Sequence, residues 1–247
     1  MLTAAGAGLI LPALPVAKMR GIARLTARPG IPRETVSPGL APLGLETGRD
    51  GLLYVPPAYS PGKPAALMLA LHGATGSARG PMNLLQPVAE KRGLIVLSVD
   101  SRDGTWDAIR SGFGPDVAFI NRALAYTFDR CAIDPARLLI GGFSDGASYA
   151  LGLGLPNGDL FMRIIAFSPG MIPTSDSPDQ GKPPIFMSHG TRDPVLPIER
   201  TSRILSRGLR SDGFDVTMAE FDGVHEIPPA ILQQAMDWCL GPKAGPG

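Results

Sequence analysis

Short, continuously apolar runs recur along the chain, spaced widely enough to leave room for a helix between most of them. Leu52–Val55 is stopped by Pro56-Pro57, and Ala66–Leu71 ends on His72-Gly73. Leu94–Val99, Leu138–Gly141, Ile164–Phe167 and Ile185–Ser188 follow, and Val216–Phe221 closes the series with a more alternating pattern. Runs this short, apolar on both parities, suit strands covered on both faces of a parallel sheet. Between them, Val117, Ile120, Leu124, Phe128 and Cys131 fall at helical spacing after the start signal Pro115-Asp116. Ile231, Ala235 and Cys239 do the same after Pro228-Pro229, and residues 83–92, 147–155 and 198–210 are also compatible with helix. The alternation predicts an α/β fold: a doubly wound, mostly parallel sheet with helices on both faces and no separate lid domain.

Length and composition fit that picture. The 247 residues, 44% hydrophobic, suffice for one core, so the expected division is a catalytic α/β domain over 51–241. An irregular lead-in over 1–50 precedes it, and a flexible tail over 242–247 follows. Residues 2–17 form a small-residue apolar stretch like the h-region of an export signal, with Val16-Ala17 suited to cleavage. A basic n-region is missing, and Pro12 and Pro15 interrupt the stretch, so a disordered or surface-packed tail is the competing reading. The stretch is too short and broken to span a membrane. The compartment, cytoplasmic or exported, therefore stays open. A net charge of +1, with no basic run carrying interleaved aromatics, argues against a nucleic-acid partner. Cys131 and Cys239 form no CxxC or Cys/His cluster, which argues against zinc; sequence leaves open whether they pair or are buried thiols.

The chemistry centres on Gly142-Phe143-Ser144-Asp145-Gly146, a G-x-S-x-G pattern. In a chain with 31 glycines the pattern alone is weak, but it follows an apolar strand and opens a helix-compatible stretch. A strand-to-helix turn of that kind lifts the Ser144 hydroxyl clear of the sheet edge. A hydroxyl at its ordinary pKa needs a base within hydrogen-bond reach to act as nucleophile. Of the three histidines, His225 lies after the last strand and before the last helix, where the base belongs in the order Ser, acid, His. Asp193, in the turn after Ile185–Ser188, is the acid expected to hold the imidazole tautomer. Asp176, Asp179 and Asp222 are rivals on position alone. The first two lie in the connection after the preceding strand, and Asp222 is suited to shaping the His225 loop. His72 and His189 read as structural hydrogen-bonding residues.

Acyl transfer also needs donors for a developing oxyanion. One is the backbone N–H of Asp145; the other comes from the loop His72–Ser77, whose turn points to Ala74. A phosphate-binding reading of this Gly-containing loop fails because no Gly-Lys-[Ser/Thr] follows. Loops at strand C-terminal ends, chiefly 101–114 and 168–183, are expected to wall a substrate pocket. Thr75, Trp106, Phe113, Met171, Val195 and Ile227 are its candidate lining residues. No metal or cofactor is called for, the partner is a small-molecule or polymeric ester, and the oligomeric state stays open.

LHGATGS, GGFSDGAS, SHGTRDPVLP and FDGVHEIPP together resemble the carboxylesterase/phospholipase-like branch of the α/β-hydrolases. They are also similar to the esterase relatives of polyhydroxybutyrate depolymerases and to feruloyl esterases. The resemblance spans about Leu52 to Leu240 and implies a lidless serine esterase without cofactor, with Ser144, Asp193 and His225 at the matching positions. Ala147 stands where both groups usually carry Gly, and Gly223-Val224 replaces a frequent Gly-Gly, which blurs the subfamily. A thioesterase, a peptidase, a polyester depolymerase and a non-catalytic binding member are the alternatives on the same scaffold.

Overall fold

The computed structural model describes residues 20–241, so the export-signal reading of 1–17 and the tail at 242–247 lie outside the described residues. Among the described residues eight strands form one sheet: β1 (Gly39–Pro42), β2 (Gly51–Val55), β3 (Ala65–Leu71), β4 (Ile95–Val99), β5 (Ile133–Phe143), β6 (Arg163–Phe167), β7 (Ile185–Gly190) and β8 (Val216–Phe221). Their order is β1-β2-β4-β3-β5-β6-β7-β8, with β1 and β2 antiparallel and every later pairing parallel. Helices α1 (Arg79–Arg92), α2 (Asp107–Arg110), α3 (Pro115–Arg130), α4 (Asp145–Gly154), α5 (Ser202–Ser211) and α6 (Pro229–Leu240) connect or flank the strands. The connection over 168–184 carries no helix or strand.

The parity of β3 shows why its run is apolar throughout. Leu67, Leu69 and Leu71 enter one core with Ile120, Leu124 and Phe128 of α3 and Ala150 and Leu153 of α4. Ala66, Met68 and Ala70 enter the other, with Met82 and Leu85 of α1 and Ile231, Leu232 and Met236 of α6. Successive side chains on a strand point to opposite faces, so a strand between two helical layers must be apolar on both. Burying each large aliphatic side chain contributes roughly 1.5–3 kcal/mol, set against the entropy of ordering the chain. Cys131 sits in the first core and Cys239 packs against the second, and both are free thiols.

Three elements differ from the sequence expectation, one of them the four-residue α2 inside the connection 101–114 expected to be loop. β1 lies in the segment expected to be irregular; three of its four residues are exposed, so it joins the sheet edge through backbone pairing and leaves no hydrophobic pattern. β5 begins earlier than its apolar run, through the exposed Pro135-Ala136-Arg137. Residues 20–50 also dock on the domain, with Ala23, Leu25 and Leu43 buried. The anchor is the buried Asn157, which accepts the Leu25 N–H at 2.9 Å and donates to the Ala23 and Leu153 carbonyls at 2.7 and 2.8 Å.

A buried carboxyl organises the start of α3. Asp116 is 1% exposed and accepts the backbone N–H groups of Arg102 at 2.6 Å and Asp107 at 2.7 Å. Burial, opposed by those hydrogen bonds, pushes its pKa up to about 6. An unfolded aspartate titrates near ~3.9, so the folded state holds this proton more tightly. The associated stability is fully present below that unfolded value and is lost as pH rises through about 6. Between pH ~4 and ~7 the wild type should lose about 2 kcal/mol relative to Asp116→Asn, whose side chain does not titrate. Urea denaturation of both proteins across that range measures it; parallel pH profiles would contradict it.

Candidate active site

Ser144 stands at the turn between β5 and α4 with φ 56° and ψ −117°. Such a backbone is strained for a non-glycine residue. Among the described residues, three non-glycine residues have positive φ: Thr75 after β3, Ser144 after β5 and Ser168 after β6. All three lie at the C-terminal edge of the parallel strands, where open α/β sheets place their ligand sites. The glycines two residues either side of Ser144 are required by close approach. A Cβ on Gly142 would lie 2.4 Å from the Gly146 backbone, and one on Gly146 would lie 2.4 Å from the Leu71 carbonyl oxygen. The turn is held by the Ser144 N–H donating to the Phe167 carbonyl at 2.9 Å.

Loops after β7 and β8 bring Asp193 and His225 to this turn. His225 Nδ1 lies 2.5 Å from Asp193 Oδ2, and His225 Nε2 lies 2.9 Å from Ser144 Oγ. A carboxylate oxygen only accepts, so Nδ1 carries the proton and Nε2 offers its lone pair to the Ser144 hydroxyl. The Phe143 ring packs against the imidazole with centroids 4.7 Å apart. The Asp193 side chain is fully buried, while His225 keeps 15% exposure. Burial alone would push the Asp193 carboxyl up. The Leu196 N–H at 2.9 Å, His225 and the Val195 N–H at 2.8 Å outweigh it, so its pKa lies below the usual carboxylate range.

A second histidine reaches the same carboxylate. His189 is fully buried, and its Nε2 lies 2.7 Å from the Leu196 carbonyl and 3.1 Å from Asp193 Oδ2. Both partners accept, so Nε2 carries the proton and Nδ1 accepts from the Ser202 hydroxyl at 2.7 Å. Burial lowers the His189 pKa and favours this neutral form.

The oxyanion candidates face the same edge. Within the described residues, neither the Ala74 nor the Asp145 N–H donates a hydrogen bond, whereas the Thr75 N–H is engaged by the Gly104 carbonyl at 2.6 Å. Gly73 lies against Ser144 closely enough that a Cβ on it would be 3.4 Å from the serine Cβ. His72 braces the turn: Nδ1 donates to the Gly73 carbonyl at 2.7 Å, and Nε2 accepts the Ser101 N–H at 2.9 Å. Burial lowers its pKa, so it too is neutral.

An apolar cavity of about 310 Å³ backs onto Gly73, Ala74 and Phe143 beneath α1, with Met68, Leu84 and Ile227 among its walls. On the sheet side it is bordered by Ala70 of β3 and by Gly141 and Gly142 of β5. Of the candidate lining residues, Ile227 alone borders this cavity. Trp106 and Phe113 are instead core residues. Trp106 is fully buried between His72 and Tyr149, its indole N–H on the His72 carbonyl at 2.8 Å, and Phe113 packs on Tyr149. Thr75, Met171 and Val195 are exposed at loop ends. Loop 101–114 helps line a second cavity of about 510 Å³, with Arg102, Thr105 and Asp107 among its walls. Among the described residues, no group of three His, Cys, Asp or Glu side chains could hold a metal ion, and no helix is long and apolar enough to cross a membrane.

Residues 111–239 match the phospholipase/carboxylesterase family. The chain belongs to that family. The match covers Ser144, Asp193 and His225 but not the His72–Ser77 turn. Feruloyl esterase C of Emericella nidulans is 30% identical over 179 residues, spanning 69% of this chain and 64% of the fungal protein. Acyl-protein thioesterase 1 of Gibberella zeae is 30% identical over 110 residues, or 41% of this chain and 46% of that protein. Among solved structures, the acetyl xylan esterase of Aspergillus awamori superposes with a TM-score of 0.64 at 15% identity, covering 81% of this chain and 98% of the esterase. That likeness shows a shared α/β-hydrolase fold.

Proposed function

We propose that this family member hydrolyses carboxylic esters by acyl transfer through Ser144. The observation that carries the reading is the hydrogen-bond line from Asp193 through His225 to Ser144, at 2.5 and 2.9 Å. His225 Nε2 takes the Ser144 proton as Oγ attacks the ester carbonyl carbon. The carbonyl π electrons move to oxygen, and the Ala74 and Asp145 amides receive that charge. Collapse of the tetrahedral intermediate expels the alcohol oxygen, which takes the proton from His225. Water, deprotonated by His225, then attacks the acyl-enzyme; collapse of that second intermediate returns the proton to Ser144 and releases the acid. Asp193 stays ionised and balances the imidazolium formed in both steps.

The apolar cavity beside the Ala74 turn suits the hydrocarbon part of an ester. A thioester reading draws on the similarity to acyl-protein thioesterase 1, since the same nucleophile attacks either carbonyl. A panel of p-nitrophenyl esters from acetate to octanoate, with matched thioesters and anilides, tests both. Turnover of oxygen esters ahead of anilides supports the proposal; preference for thioesters moves it to the second reading; folded protein inert on all of them overturns it.

A further inference from the structure

We infer that the segment Ser101–Trp106 is a clamp that fixes the two arms of the oxyanion site relative to each other, with Thr105 as the positioning residue that joins them. This rests on the esterase reading above. Three hydrogen bonds tie the segment to the turn that carries Ala74. The Ser101 N–H donates to His72 Nε2 at 2.9 Å, and the Trp106 indole N–H donates to the His72 carbonyl at 2.8 Å. From the turn, the Thr75 N–H donates to the Gly104 carbonyl at 2.6 Å. A fourth bond crosses to the other arm: the Thr105 hydroxyl donates to Asp145 Oδ2 at 2.6 Å. Behind the clamp, the buried Asp116 carboxyl accepts the Arg102 and Asp107 N–H groups and anchors the segment to α3. Donors aimed at a developing charge act only if held at the correct spacing, and supporting hydrogen bonds supply that rigidity.

The Thr105 bond has two consequences of the same sign. Asp145 is the first residue of α4, and its own N–H is one of the two candidate donors. Its carboxylate is therefore a negative group beside the place where a second negative charge would form, which is unfavourable by Coulomb's law. The half-buried Thr105 hydroxyl engages that carboxylate and holds the residue at its place in the helix start. Removing the hydroxyl loosens the donor and frees the carboxylate. Both effects act on the tetrahedral intermediate and spare ground-state binding, so they appear in kcat.

The test uses p-nitrophenyl butyrate with the wild type, Thr105→Val, Thr105→Ala and Thr105→Ser, each also in an Asp145→Ala background. Thr105→Val should lower kcat about 10-fold, a fraction of the effect of deleting an oxyanion donor outright. KM should stay within about twofold, as expected for an interaction made in the transition state. Affinity for a trifluoromethyl ketone, whose adduct places an oxyanion in the same site, should fall in parallel. Thr105→Ser should restore most of kcat, and Thr105→Val should add little once Asp145 is Ala. Thr105→Ala serves as the hydroxyl-free variant if the Val protein folds poorly, with melting temperature reported for each. A Thr105→Val enzyme with wild-type kcat, an equal loss in the Asp145→Ala background, or no recovery with Ser overturns the clamp while leaving the esterase reading standing. A wild type without ester turnover overturns the esterase reading itself.

Discussion

Ser144→Ala should lower kcat/KM for p-nitrophenyl butyrate by on the order of 10⁵- to 10⁶-fold, the scale set by deleting a nucleophile that acts as one unit with its base. The variant loses the attacking oxygen and the hydrogen bond to His225 Nε2, while the Asp193–His225 pair stays intact. Stability should change little. The strained backbone at φ 56° belongs to the turn rather than to the hydroxyl, and alanine inherits it. Purified Ser144→Ala with a melting temperature near that of the wild type and rates at the buffer background is the expected pair of results. Retained turnover in that protein would remove Ser144 from the nucleophile role.

Asp193→Asn should lower kcat by about 10⁴-fold with little change in KM, the loss expected from the wrong imidazole tautomer. The reason lies in the four groups around this carboxylate. Oδ1 accepts the Val195 and Leu196 N–H groups, so the asparagine carbonyl oxygen must take that position. Its NH2 then faces His225 Nδ1 and the His189 Nε2–H. A donor against His225 Nδ1 forces the proton onto Nε2, where it can no longer accept from Ser144. The same NH2 meets a second donor in His189, so a stability loss of roughly 1–3 kcal/mol should accompany the kinetic effect. Steady-state kinetics and urea denaturation measure the two losses separately. A variant with near-wild-type kcat would show that Asp193 does not set the tautomer.

Much of this was legible in the chain because the parallel strands announce themselves. The runs at 66–71, 94–99 and 164–167 are apolar on both parities and match their strands to within one residue at each end, while the run at 185–188 starts with β7 and stops two residues short of its end. The candidate nucleophile, acid and base follow strands in the required order, and the structure brings Ser144, Asp193 and His225 into hydrogen-bonding contact. What escaped was held by long-range or polar contacts. β1 pairs through backbone on an exposed edge, and residues 20–50 are anchored by Asn157, more than a hundred positions away. Trp106 and Phe113 sit in a Gly-rich loop that reads as pocket wall, yet the loop folds inward and buries both. The Thr105–Asp145 bond joins residues forty positions apart, and no local pattern marks it.

Intact-mass spectrometry after incubation with a fluorophosphonate at neutral pH, followed by peptide mapping, tests most directly whether Ser144 is an activated nucleophile. One adduct per chain, located on Ser144, absent from Ser144→Ala and strongly slowed in His225→Ala, is the result this arrangement predicts. Folded wild-type protein that stays unlabelled, or that carries its adduct on another residue, would contradict it.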